Sequence, residues 1–243
     1  MHKFANPARF MRLSKIILPW VALLAAGLLA VGLYLSLFVA PADYQMGDAY
    51  RIIFVHVPSA YMAMFGYVLM ALASIVGIIW KHPLADYTAR ATAPIGAAFT
   101  LLALITGSLW GKPMWGAYWV WQDARLTSVL ILFFLYLGYL AVWQAIEDQA
   151  RAARVAAIVA IVGLVNIPII KFSVEWWSTL HQPASLMRLD GPSIHPDMLW
   201  PLIIMILAFN AYFVMVLIWR LQSLILKRRI RTLRLKLAAK VVD

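Results

Sequence analysis

The sequence predicts an all-α, polytopic membrane protein with six transmembrane helices and both termini in the cytoplasm. Three observations predict it. The 243-residue chain is 64% hydrophobic, with a mean hydropathy of +0.83, outside the range of ordinary soluble domains. Six apolar runs approach the roughly 20 residues a helix needs to cross a bilayer; they cover 16–39, 57–80, 91–110, 127–146, 153–172 and 199–220. Basic residues are also unevenly placed. Sixteen of the 21 lie in the N-terminal tail, the 81–90 and 147–154 loops and the tail from Arg220 onward. The alternate connections hold five: Arg51, Lys112, Arg125, Lys171 and Arg188. Cytoplasmic loops carry the excess of Lys and Arg, which puts both termini inside and the second set of loops outside. No long linker, low-complexity tract or internal repeat divides the chain, so residues 1–243 read as one membrane domain.

The first run follows Lys3, Arg9, Arg12 and Lys15 and precedes Ala40-Pro41-Ala42, superficially a secretory leader with its cleavage site. From Ile16 to Val39 it is longer than a leader's apolar region, so it reads as a retained helix. The second run begins after His56, in Val55-His56-Val57-Pro58. Proline is tolerated near a first helical turn, which places the histidine at a helix entrance. The third run ends in a dense aromatic stretch, Trp110-Gly-Lys-Pro-Met-Trp115-Gly-Ala-Tyr-Trp119-Val-Trp121. Single tryptophans at a membrane interface are ordinary. Four in twelve residues, interleaved with glycine, suggest a platform for something flat and apolar. The outer loop 110–126 closes with Gln122-Asp123-Ala124-Arg125, where Asp123 suits the N-cap of the fourth helix. Arg125, Arg51 and Lys112 are either interfacial cations or partners for the carboxylates of an anionic ligand, a task to which the arginine fork is suited.

The fifth run contains Asn166-Ile167-Pro168, which reads as a kink, and leads to Glu175-Trp176-Trp177 and His181. His195, in a Gly-Pro-Ser-Ile-His-Pro turn, and the cytoplasmic His2 and His82 carry no functional signal. After the sixth run, the cluster Lys227-Arg228-Arg229-Ile230-Arg231 fits topology and anionic lipid, not nucleic acid.

His56 and His181 each have an ordinary explanation as interfacial or loop histidines. Together they bracket the tryptophan segment on one membrane face, and neutral imidazole is a good iron ligand. Ligation of haem iron by His56 and His181, with the macrocycle against Trp115, Trp119 and Trp121, uses all three segments at once. Other chemistries find little support. The absence of cysteine excludes disulfides, Cys-based metal sites and covalent C-x-x-C-H haem attachment. No H-E-x-x-H pair supports a zinc hydrolase. Gly107-Ser-Leu-Trp-Gly111-Lys112-Pro113 misses the P-loop spacing. No paired carboxylates or nucleophile–base set appears on the outer face, so the chain reads as a carrier and not an enzyme.

The stretch Trp115-Gly-Ala-Tyr-Trp119-Val-Trp121, with Asp123-Ala-Arg125-Leu-Thr-Ser128, resembles the tryptophan-rich WWD motif of haem-handling proteins in cytochrome c biogenesis. More narrowly, the chain resembles the CcmC family, also through Ala40–Gln45, Tyr50–Pro58, Gly107–Gly116 and Asn166–Trp177. The likeness covers about residues 16–225. It implies a six-helix inner-membrane protein that binds haem b transiently at the periplasmic face and delivers it to the haem chaperone CcmE. It implies the partners CcmA, CcmB and CcmD, and by motif position the iron ligands His56 and His181, with Asp123 and Arg125 in the motif. In the family pattern the aspartate directly follows the last tryptophan, whereas Gln122 intervenes here. Either Asp123 is mainly an N-cap and the loop absorbs the extra residue, or the chain is a variant with altered haem or chaperone handling. Two rival classes remain. A membrane electron-transfer cytochrome usually places its ligands within helices. A haem-free solute transporter calls for polar or broken helices at the midplane, for which Asn166-Ile-Pro168 is the sole mild candidate.

Overall fold

The computed structural model of the chain describes residues 6–177, 179–182, 186 and 191–242, with side chains through residue 239. His2, Lys3, Pro183 and Arg188 lie outside the described residues. The long elements of the described chain are all helices: α1 Pro7–Tyr34, α2 Ile53–Trp80, α3 Pro83–Trp115, α4 Ala124–Ala145, α5 Gln149–Gly163, α6 Asn166–Trp176 and α7 Pro196–Val242. A π-helical turn, Leu35–Val39, extends α1, and a 3₁₀ turn, Asp48–Ile52, leads into α2. Six segments are long and apolar enough to cross a membrane: Pro7–Val39, Asp48–Trp80, Pro83–Trp115, Ala124–Ala145, Gln149–Trp176 and Pro196–Ala239.

Lipid tails are as apolar as leucine, so burial of greasy surface does not drive these helices together. Close backbone approach at small residues and interhelical hydrogen bonds do. The α2/α3 pair shows both. Ala89, Ala93, Gly96, Thr100, Ala103, Gly107 and Gly111 are buried along α3. They recur at the three- or four-residue spacing of one helix face. Ser59, Ala63, Gly66, Ser74 and Gly77 are buried on α2. At the crossing, a Cβ on Gly66 would lie 3.4 Å from the Gly96 Cα. Tyr136 of α4 fills this gap; its hydroxyl donates to the Ala63 carbonyl at 2.8 Å. Its ring meets Tyr67 edge-on at 5.0 Å. The Tyr67 hydroxyl in turn reaches the Val159 carbonyl of α5 at 3.5 Å. Two tyrosines thus fasten four helices about one point.

α1 packs mainly on α7. Gln222 Nε2 donates to Ser14 Oγ at 2.9 Å, and Gly32 lies against Met205. Its other faces carry exposed Ile16, Trp20, Leu23 and Leu24, the composition of a lipid-facing surface. The fifth span is two helices. Pro168 has no N–H for the Leu164 carbonyl, and its ring crowds that oxygen, so the helix breaks at Leu164–Val165. Ile167 N bonds the Leu164 carbonyl at 3.1 Å instead. The buried Asn166 amide is spent within the protein, donating to the Ser128 carbonyl at 2.9 Å.

Several boundaries differ from expectation, and α1 and α3 already start at Pro7 and Pro83, ahead of the expected 16 and 91. α3 does not stop at residue 110 but runs through Trp115, so the first half of the expected loop 110–126 is helical. Gly116 ends it with a φ of 77°, and its N–H caps the Lys112 carbonyl at 3.0 Å. α2 begins at Ile53, so His56 lies inside its first turn and not ahead of the span. α7 continues well past residue 220, carrying the basic tail as helix.

Candidate functional site

The expected site residues gather at one end of the bundle. His56 projects from the first turn of α2 onto α3. Its Nδ1 lies 3.0 Å from Thr106 Oγ1, and its ring rests on Gly107, where a Cβ would come within 3.0 Å of the His56 Cε1. Any larger residue at 107 would displace the ring. The small-residue face that brings α3 against α2 therefore also makes the seat for His56. Thr106 and Gly107 went unnamed among the expected site residues, and Trp110 was named only as one of the four tryptophans of the aromatic stretch. Their signal lay in the i, i+1 and i+4 positions leading from Thr106 toward the tryptophan segment, legible only once α2 is known to cross there.

From His56 a line of rings crosses the site. His56 meets Trp110 at 6.1 Å, Trp110 meets Trp115 at 6.4 Å, and Trp115 meets His181 edge-on at 5.1 Å. Histidines far apart in sequence are thereby joined through two indoles. Trp119 and Trp121 form a separate edge-on pair at 5.5 Å, with Trp121 68% exposed. The tryptophans are thus divided: Trp115 stands between the histidines and Trp121 at the rim.

Asp123 organises the far side of the site. It is buried, and both its oxygens accept backbone N–H bonds. Oδ1 caps α4 from Leu126 N at 2.9 Å; Oδ2 holds Leu180 N at 2.7 Å. The first is the expected N-cap. The second was not foreseen: it ties the segment after α6 to the start of α4 and so places His181. The His181 Nδ1 lies 3.5 Å from Asp123 Oδ1 and makes no hydrogen bond of good geometry. Burial holds the His181 pKa below the ordinary histidine value. The nearby Asp123 carboxylate opposes that shift and the Arg125 guanidinium reinforces it. The downward shift favours the neutral imidazole.

Gln122 is accommodated in a turn. Asp123 N bonds the Val120 carbonyl at 3.2 Å around Trp121-Gln122, and Gln122 is exposed. No helix passes through this point, so the extra residue does not rotate Asp123 away. The expected anion-pairing cations are largely engaged within the fold. Arg125 Nε donates to Ser173 Oγ at 3.0 Å, joining α4 to α6. Arg51 Nη1 donates to the Ser36 carbonyl at 2.7 Å, and its Nε pairs with Asp48 at 2.8 Å. Lys112 Nζ caps the Gly116 carbonyl at 3.1 Å. His195, 64% exposed at its side chain, stands at the start of α7 beside Asp197.

Among the described residues, three buried side-chain nitrogens at this end lack a hydrogen-bond partner: Trp110 Nε1, Trp119 Nε1 and His181 Nδ1. Buried N–H groups are ordinarily paired. Two indole donors and an unsatisfied imidazole around aromatic faces suit a flat ligand with acceptor groups at its edge and a metal at its centre. Among the described residues, no group of three or more His, Asp or Glu side chains is placed to hold a bare metal ion.

Comparison with known proteins agrees with this chemistry. A family model described as CcmC, Heme exporter protein C, matches residues 1–236. A Heme exporter protein C of Bradyrhizobium diazoefficiens is 54% identical over 237 residues, covering 98% of this chain and 89% of the relative. One from Escherichia coli K12 is 46% identical over 232 residues, covering 94% and 93%. A Marchantia polymorpha protein, described as ccmC-like, mitochondrial and of cytochrome c biosynthesis, is 50% identical over 182 residues, covering 75% and 76%.

Proposed function

The chain belongs to the Heme exporter protein C family, a multi-pass membrane component of cytochrome c biogenesis and not an enzyme, and from that premise we propose that it binds haem b transiently between His56 and His181. The supporting observation is the line of rings from His56 through Trp110 and Trp115 to His181, bordered by unpaired indole N–H groups. His56 and His181 would hold the haem iron, the indoles would supply flat apolar contact, and the unpaired Nε1–H groups would meet acceptors at the haem edge. Arg125 takes part mainly by fixing α4 against α6, with its remaining guanidinium nitrogens toward a propionate.

The orientation follows from charge. Arg90, Arg220 and Arg228 lie at the opposite end, where Arg220 Nε bonds the Ala91 carbonyl and Arg228 Nη1 the Tyr87 hydroxyl. With that basic end in the cytoplasm, the haem site is at the periplasmic face of the inner membrane. The exposed Trp121 and Tyr118 then form the edge on which the haem chaperone CcmE docks, with CcmA, CcmB and CcmD as the remaining partners. Shallow aromatic contact suits a cargo that must leave.

Haem content of the purified full-length protein, and the amount of chaperone complex recovered with it, test this reading. Trp119→Ala is expected to lower one or both several-fold. No change in either would sink the platform.

A further inference from the structure

His56 is held in a way that His181 is not, and the difference lies in where two protons sit. Thr106 Oγ1 makes two short contacts: 2.7 Å to the Leu102 carbonyl one turn back on α3, and 3.0 Å to His56 Nδ1. A second backbone carbonyl, Ala103, lies 3.3 Å away. The threonine hydroxyl has one proton. If it were given to the histidine, two oxygens 2.7 Å apart would face each other with no hydrogen between them. If it goes to Leu102, the contact with His56 is satisfied only by a proton on Nδ1. Two contacts therefore require two protons, one from each side chain. Among the described residues, the side-chain partner of the His56 ring is Thr106, and the ring also bonds the Ala103 backbone.

We propose that Thr106 is a positioning residue that fixes His56 as the Nδ1–H tautomer and so leaves Nε2 as the lone pair offered to haem iron. This rests on the reading that His56 holds the iron. Gly107 contributes by clearance, since a Cβ there would press on the His56 Cε1 at 3.0 Å. A metal-bound histidine ordinarily donates its other N–H to a fixed acceptor, which orients the ring and raises its basicity. Here the acceptor is on the neighbouring helix, beside the Gly107 on which the His56 ring rests. Among the described residues, His181 meets the misaligned carboxylate of Asp123 at 3.5 Å and the edge of Trp115. His56 is the fixed ligand and His181 the one that lets go.

The test uses full-length protein in lipid nanodiscs with ¹⁵N-labelled histidine, first free of haem and then loaded. In the haem-free wild type, the His56 signals should show a protonated Nδ1 and a bare Nε2. Thr106→Val, nearly isosteric, should lose that preference, and Thr106→Ser should restore it. After loading, haem loss to excess apomyoglobin should be about 10- to 100-fold faster in Thr106→Val. It should stay near wild type in Thr106→Ser. A wild-type His56 protonated on Nε2 overturns the proposal even if no variant folds. So does a Thr106→Val protein with unchanged tautomer and haem loss, or a Thr106→Ser protein no better than the valine variant. If His56→Ala retains haem with an unchanged spectrum, the reading of His56 as iron ligand fails, whatever its tautomer in the haem-free protein.

Discussion

Asp123 carries two structural tasks on one carboxylate. Its Oδ1 caps α4 and its Oδ2 anchors the backbone at Leu180 beside His181. Asparagine keeps an acceptor oxygen for only one of them. Asp123→Asn is therefore expected to preserve the cap and loosen the His181 segment, with faster haem loss at little cost in stability. Asp123→Ala removes both and should destabilise the protein by about 1 kcal/mol through the cap alone. Thermal unfolding and haem loss, measured on both variants, separate the two tasks. Equal haem loss from the Asp123→Asn variant and the wild type would show that the Oδ2 contact does not place His181.

The His181 imidazole also sets a pH dependence. Its pKa lies below the ordinary histidine value, chiefly through burial. The neutral ring binds iron and the protonated ring does not. On the proposed ligation by His181, protons compete with iron only once the pH falls below about 6.5, the unperturbed histidine value. Haem retention is expected to be level from about pH 8 to 7 and to decline on acidification below that value. A His181→Met variant, with no titrating ring, should flatten the acid limb. Retention that already falls between about pH 8 and 7 would contradict the assignment of a neutral His181.

At the scale of elements, the central contact is Gly66 and Gly96 with the Tyr136 hydroxyl between them. A Cβ on Gly96 would run into the Tyr136 ring and hydroxyl. Gly96→Ala is expected to cost about 1–3 kcal/mol, as overpacking of a tight site does. The change should appear as a lower unfolding temperature in detergent, with no direct effect on site groups. Much of this level was legible in sequence. Hydropathy located all six spans, and Pro168 marked the break in the fifth. The helix ends were not legible. Trp110-Gly-Lys-Pro-Met-Trp115 reads as loop because Gly and Pro punctuate it. The structure keeps it helical because Gly111 packs tightly against Trp115 and Gly116 closes the helix in the left-handed region. Likewise the histidines and the aspartate cap stood out by residue type. Thr106 and Gly107 did not, since their role comes from a crossing between helices 50 residues apart in sequence.

Over the whole molecule, the site and the basic cluster occupy opposite ends of the bundle. The proposed orientation can be read directly because the chain has no cysteine to interfere. Single substitutions Gln122→Cys, in the exposed turn of the site, and Arg231→Cys, on the projecting end of α7, serve as reporters. With a membrane-impermeant maleimide on intact spheroplasts, Gln122→Cys should label and Arg231→Cys should label only after lysis. The reverse pattern would invert the topology and move the site to the cytoplasmic face. Deleting Gln122 should change haem occupancy by less than about twofold, because the residue sits in a solvent-exposed turn whose neighbour Asp123 is held independently. Haem content of the purified deletion variant checks this.

The claim on which the account turns is that His56 and His181 both hold haem iron. The most direct measurement is the low-temperature electron paramagnetic resonance spectrum of the ferric, haem-loaded full-length protein and of its His56→Ala and His181→Ala variants. The account predicts a low-spin, bis-histidine signal in the wild type, replaced in each variant by a high-spin signal that added imidazole converts back. A low-spin signal unchanged in both variants would contradict it.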